Sequence, residues 1–178
     1  MLGNRYSNNY VLVSIAVTIF AFFLICIFDI YFHGLARIPV DTLDTFSYES
    51  WSISRTIGYP AVISFFKYLS VFEYLPWIQL VFFALSSACL CGAIAFSLSQ
   101  SGHAGIGLAA GLALGLGVAV NVHFLHHAQR IAPDSLFSSL VMLHAAAASM
   151  AITTRIRGWV FCAGLCLLLL WLDQLAMH

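Results

Sequence analysis

The chain has 178 residues, of which 62% are hydrophobic and only 8% are charged, with a mean hydropathy of +0.96. Water-soluble domains carry about 25% charged residues, so a surface of this composition cannot be hydrated and a soluble fold is excluded. The seven basic and seven acidic residues cancel, which removes the general electrostatic attraction that nucleic-acid binding needs, and no nucleic-acid partner is expected.

A bilayer core of about 30 Å is crossed by about 20 apolar residues in a helix, and five stretches approach that length: 10–32, 77–98, 104–122, 135–152 and 158–175. The expected fold class is therefore all-α, a polytopic transmembrane bundle of about five spans that occupies residues 1–178 as a single domain. The first run is longer than the apolar part of a signal peptide, about 7 to 15 residues, and is expected to stay as an anchor. The third run repeats glycine at Gly107, Gly111 and Gly115, a stripe on which a neighbouring helix can pack closely. Cys26, Cys89, Cys91, Cys162 and Cys166 all fall in apolar runs, where cysteine acts as a small hydrophobe. Neither of their close spacings is that of a zinc knuckle or a CxxC pair.

Arg5 precedes the first span, and Arg155 with Arg157 sits in the link between the fourth and fifth, which is the same side after four crossings. The positive-inside rule then makes the N-terminus cytoplasmic, although Arg37, Arg55 and Lys67 lie on the opposite side. A multi-pass protein of a bacterial inner (plasma) membrane is expected, with membrane lipids as its surroundings. Two segments face the exterior, 33–76 and 123–134. They hold Asp41, Asp44, Glu49, Glu73 and Asp134, most of the acids in the chain.

The first segment is too long for a simple connection and is expected to contain two short interfacial helices. One starts at Asp41 or Thr42 as N-cap and runs to about Ser54. The other follows Gly58-Tyr59-Pro60, with Pro60 at its first position and Val62, Phe65, Phe66 and Leu69 in the membrane interface. Tyr48, Trp51, Tyr59, Tyr68, Tyr74 and Trp77 match the aromatic enrichment found at headgroup depth.

The run Asp44-Thr-Phe-Ser-Tyr48, followed by Arg55-Thr-Ile-Gly-Tyr59-Pro60, resembles the first exterior loop of GT-C superfamily glycosyltransferases. Arg130-Ile-Ala-Pro133-Asp134-Ser-Leu-Phe137 resembles that family's second acidic loop, just before the fourth span. The likeness covers most of the chain and lies in the order and spacing of two short motifs. It implies an enzyme that takes a sugar from a polyprenyl-phosphate carrier, the lipid-linked donor, and transfers it to an acceptor at the exterior face. By the same likeness Asp44 is the catalytic acid, Asp134 the second acid, and Asp41 a residue able to exchange roles with Asp44.

Physical chemistry agrees, since an acceptor hydroxyl attacking an anomeric carbon needs a carboxylate to take its proton. A phosphate leaving group calls for cations, and Arg55, Lys67 and Arg130 are the exterior candidates. Tyr48 and Tyr59 complete the expected substrate-binding set. No cofactor follows from the sequence, and a divalent metal is compatible with the two acids. GT-C enzymes have more spans than five, so a missing C-terminal part or a further membrane subunit is an expected partner.

Each of these residues also has a structural reading. Asp44 and Asp134 are good helix caps, and the exterior cations are ordinary headgroup contacts. His123, His126 and His127 form an H-x-x-H-H cluster at the outer end of the third span, read as interfacial polar residues because no fourth metal ligand is near. Asp29 and Asp173, near the exterior ends of their spans, are read as structural pairs. The alternative function is a non-catalytic membrane subunit or scaffold that binds a protein or lipid. A transporter finds little support, because no span carries a central charge pair or a clear break.

Overall fold

In the absence of water a backbone must satisfy its own hydrogen bonds, and long apolar runs do so as helices. The structure, a computed structural model, describes residues 8–33, 58–100, 103–121 and 133–174. Among them are helices α1 (Asn8–His33), α2 (Gly58–Tyr68), α3 (Leu75–Gln100), α4 (Ala104–Ala119), α5 (Pro133–Thr154) and α6 (Arg157–Gln174). A 3-10 turn, Phe72–Tyr74, leads into α3, and no strand occurs among the described residues.

Three of these helices are long and apolar enough to cross a membrane: α1, α3 with its leading turn, and α5. The chain is accordingly a membrane protein with an all-α helical bundle. The third and fifth expected spans form shorter apolar helices. The third stops at Ala119 rather than at residue 122, and its 16 residues reach about 24 Å at 1.5 Å per residue, less than the core thickness. The first expected interfacial helix lies outside the described residues.

Side-chain contacts fix the helix directions. Ser14 on α1 donates to the Gly92 carbonyl on α3 at 2.9 Å, and Ile25 clusters with Leu80, Phe83 and Ala84, so α1 and α3 are antiparallel. The glycine stripe of α4 lies in the groove between them. Gly111 faces Val17 and Ala95, and Gly115 faces Ala21 and Cys91, which makes α4 parallel to α1. Ser87 on α3 reaches Met142 on α5 at 2.9 Å, and Ser97 reaches Ser149 and Thr153 at 2.9 and 2.8 Å; α5 therefore runs parallel to α3. His144 meets the Ala163 carbonyl at 3.0 Å, and α6 returns antiparallel to α5.

Most of the hydroxyls that these contacts leave over bond their own helix. Ser86, Ser87, Ser139 and Thr154 each donate to the carbonyl four residues earlier, at 2.6 to 2.8 Å, which lets these small polar residues sit in an apolar bundle, whereas the buried hydroxyls of Ser99 and Ser135 have no partner among the described residues.

With these directions, His33, α2, the start of α3, Asn121 and Asp134 lie at one end of the bundle. Asn8, Gln100, His103, Arg155 and Arg157 lie at the other. The described residues that flank 34–57 and 122–132, namely His33, Gly58, Asn121 and Pro133, therefore all lie at the Asp134 end.

α2 begins at Gly58, two residues before Pro60, so the proline stands in the first turn, where a missing N–H costs nothing. It ends in a Schellman motif: Val71 N–H donates to the Phe66 carbonyl at 3.1 Å and Ser70 N–H to the Lys67 carbonyl at 3.0 Å. Ser70 takes the left-handed conformation there, with φ 58°. The resulting reversal folds α2 back onto the first turns of α3.

Candidate functional site at the Asp134 end

Residues 59, 62, 63 and 66 share one face of α2, and this face is turned into the bundle rather than towards lipid. Tyr59 and Ile63 are buried and cluster with Leu75, with Val62, Phe66 and Leu136 packed around them. Phe65 and Leu69, expected with Val62 and Phe66 in the membrane interface, point away from the bundle and are exposed, as interfacial residues are. Val62 and Phe66 differ because the Schellman turn brings α3 and α5 alongside α2 and supplies a protein partner for that face.

Tyr59 is correspondingly not an interfacial aromatic. It is fully buried, and its hydroxyl accepts a hydrogen bond from Gln79 Nε2 at 2.8 Å. This contact ties α2 to α3 and closes one side of an apolar cavity of about 230 Å³ between α2, α3 and α5. Tyr68 and Tyr74 are exposed, as headgroup-depth residues are.

Lys67 occupies the last turn of α2, where a cation is favoured by the helix dipole. It is exposed, with Nζ 5.1 Å from the centroid of the Phe72 ring. Asp134 lies in the first turn of α5, where the dipole favours an anion; it too is exposed. It precedes by two residues Leu136, which packs on the Tyr59 cluster. The structure thus brings Tyr59, Lys67 and Asp134 to one end. Asp41, Asp44, Tyr48, Arg55 and Arg130 lie outside the described residues, as does the His123, His126 and His127 cluster. Among the described residues no group of three or more histidine, cysteine, aspartate or glutamate side chains could hold a metal ion, and all five cysteines are free.

Two polar residues at this end were given no site role from the sequence. Gln79 is buried in the second turn of α3 and bonds Tyr59; a lone glutamine at the edge of an apolar run was its only signal. Asp29 is fully buried, the charged side chain among the described residues of which this is true. It follows Ile25 by one turn on the same face of α1, towards the His33 end. Its position near the end of a span suggested access to water, whereas the bundle encloses it.

The architecture defines a polytopic helical membrane protein that exposes Lys67, Glu73 and Asp134 at one end and His103, Arg155 and Arg157 at the other. No family model matches the chain, and neither a curated protein nor a solved structure does.

Proposed function

We propose that the chain carries the sugar-transfer module of a membrane glycosyltransferase of the GT-C type, using a polyprenyl-phosphate-linked sugar as donor. The observation that supports this most is topological: the described residues that flank both segments resembling that superfamily's acidic loops lie at the same end of the bundle, where Asp134 and Lys67 are exposed. The positive-inside rule makes this end the exterior one, since Arg155 and Arg157 stand at the other. A bacterial inner membrane with a cytoplasmic N-terminus follows from the same reading.

In this mechanism the Asp44 carboxylate takes the proton of the acceptor hydroxyl as its oxygen attacks the anomeric carbon. The bond from that carbon to the phosphate oxygen breaks, and the phosphate departs on the carrier. Arg55, Lys67 and Arg130 hold the charge that develops on it. Asp134 stabilises the positive charge on the sugar ring. Tyr59 acts by holding α2, and with it Lys67, against the bundle.

Asp44→Asn and Asp134→Asn, expressed in cells without the wild-type copy, are expected to abolish transfer while leaving the protein in the membrane. Full glycosylation by the double variant would refute the reading. A non-catalytic subunit is favoured by one observation, the exposure of α6 along most of its apolar length. Co-purification with a larger complex, together with function that survives loss of both carboxylates, distinguishes that case.

A further inference from the structure

A second cavity, of about 440 Å³, lies in the other half of the bundle. α3 packs between α1 and α5, and α6 packs chiefly on α5, so the cavity is the cleft left between α1 and α6. Its floor is made of small residues from α3 and α5, Gly92, Ala93, Ala146 and Ala147, and its α6 wall runs from Trp159 to Cys166.

The wall holds little that would retain water, which needs two to four polar partners. Its two hydroxyls already donate to main-chain carbonyls, Ser14 to Gly92 and Thr18 to Ser14, each at 2.9 Å. Most of the remaining wall is carbon and sulfur. An apolar molecule is therefore the fitting occupant. The α5 lining runs from Leu143 to Met150, which gives that occupant about 10 Å of apolar wall at 1.5 Å per residue.

Charge supplies the rest. The Met150 and Trp159 end of the cleft points to the short link between α5 and α6, where Arg155 and Arg157 are exposed. Arg155 stands in the link directly after α5 and Arg157 opens α6 two residues before Trp159, so both lie beside the cleft mouth.

We propose that the cleft binds one anionic phospholipid, with an acyl chain between α1 and α6 and the phosphate against Arg155 and Arg157. None of these residues belongs to the sugar-transfer site, so the proposal stands apart from that reading.

The test uses the full chain with Trp51, Trp77 and Trp171 replaced by Phe, leaving Trp159 in the cleft wall as the single tryptophan of four. It is reconstituted in phosphatidylcholine vesicles, and Trp159 fluorescence is followed as brominated phosphatidylglycerol replaces the host lipid. Quenching is expected to saturate at a mole fraction about thirtyfold lower than with brominated phosphatidylcholine, from two arginines near the surface. Arg155→Gln with Arg157→Gln removes that difference, and Ala147→Leu, which fills the floor, removes the saturating component. Quenching that rises in proportion to mole fraction for both lipids, or that Ala147→Leu leaves unchanged, overturns the proposal. Shielding of Trp159 by a second copy, seen as a cross-linked dimer that no brominated lipid quenches, overturns it as well.

Discussion

Replacing Gly111 by alanine places a Cβ 2.8 Å from Val17 Cγ1, 3.0 Å from Ala95 Cβ and 3.0 Å from the Cys91 carbonyl oxygen. Carbon atoms rest at about 3.5 to 4.0 Å, and a main-chain carbonyl inside a helix does not rotate away, so α4 must shift outward as a whole. Overpacking of this kind costs about 1 to 3 kcal/mol. Gly117 is the matched control, because a Cβ there meets nothing within 4 Å. Both substitutions gain the same helix propensity, about 0.8 to 1.0 kcal/mol, and the difference between them isolates packing. Reversible unfolding of the purified chain by dodecyl sulfate in mixed micelles measures both. Gly117→Ala is expected to match or exceed the wild type, with Gly111→Ala about 1 to 3 kcal/mol less stable than Gly117→Ala. Equal stability of the two variants would show that the seam between α1, α3 and α4 is not held by close approach.

The polar end yields further outcomes. Tyr59→Phe and Gln79→Leu are each expected to destabilise the protein, and a double-mutant cycle should give a coupling of about 0.6 kcal/mol, the average for hydrogen bonds between membrane helices, and no more than about 1.7 kcal/mol; a coupling of zero removes the proposed tie between α2 and α3. Ser70→Gly relieves a left-handed residue and should stabilise by about 1 kcal/mol in the same unfolding assay. On a background without native cysteines, Lys67→Cys and Asp134→Cys are expected to react with an impermeant maleimide from the same side of the membrane, with Arg155→Cys reacting only from the other; labelling of all three from one side contradicts the helix directions. Asp44→Asn is expected to lower sugar transfer by a factor of about 10² to 10⁴, the usual contribution of a general base, measured as acceptor modified per unit of membrane-inserted protein.

What the sequence reveals and what it hides divide along physical lines. Apolar length and the Gly107, Gly111 and Gly115 spacing are properties of one helix; the spacing is found in the structure as read, with all three glycines buried, whereas three of the five expected spans reach membrane-crossing length among the described residues. The start of α5 was equally legible, since Pro133 and Asp134 are good first-turn residues. The turn after α2 was not, because Ser70 stands where glycine usually marks a left-handed cap. Without that turn, the apolar face of α2 had no visible partner but lipid, and Tyr59 looked like a member of an aromatic belt. The enclosure of Asp29 was hidden for a similar reason: burial arises from tertiary packing around α1, which no local pattern in α1 encodes.

The distribution of polar groups argues for chemistry at the Asp134 end. In the opposite half of the bundle, partly buried hydroxyls are inexpensive, since Thr18, Thr153 and Thr154 bond their own helix and Ser14 and Ser97 bond a neighbour; the buried Ser99 hydroxyl, without a partner among the described residues, is the exception. At the Asp134 end the chain encloses a carboxyl group, Asp29, and a primary amide, Gln79, both of which need several well-placed partners to offset lost hydration. Apolar residues of similar volume would pack as well at lower cost. Stability alone therefore does not account for these two side chains. Their position on α1 and α3, beneath the surface that exposes Lys67 and Asp134, is where a rigid support for a polar site is needed, and ionisable groups inside a membrane bundle ordinarily serve function.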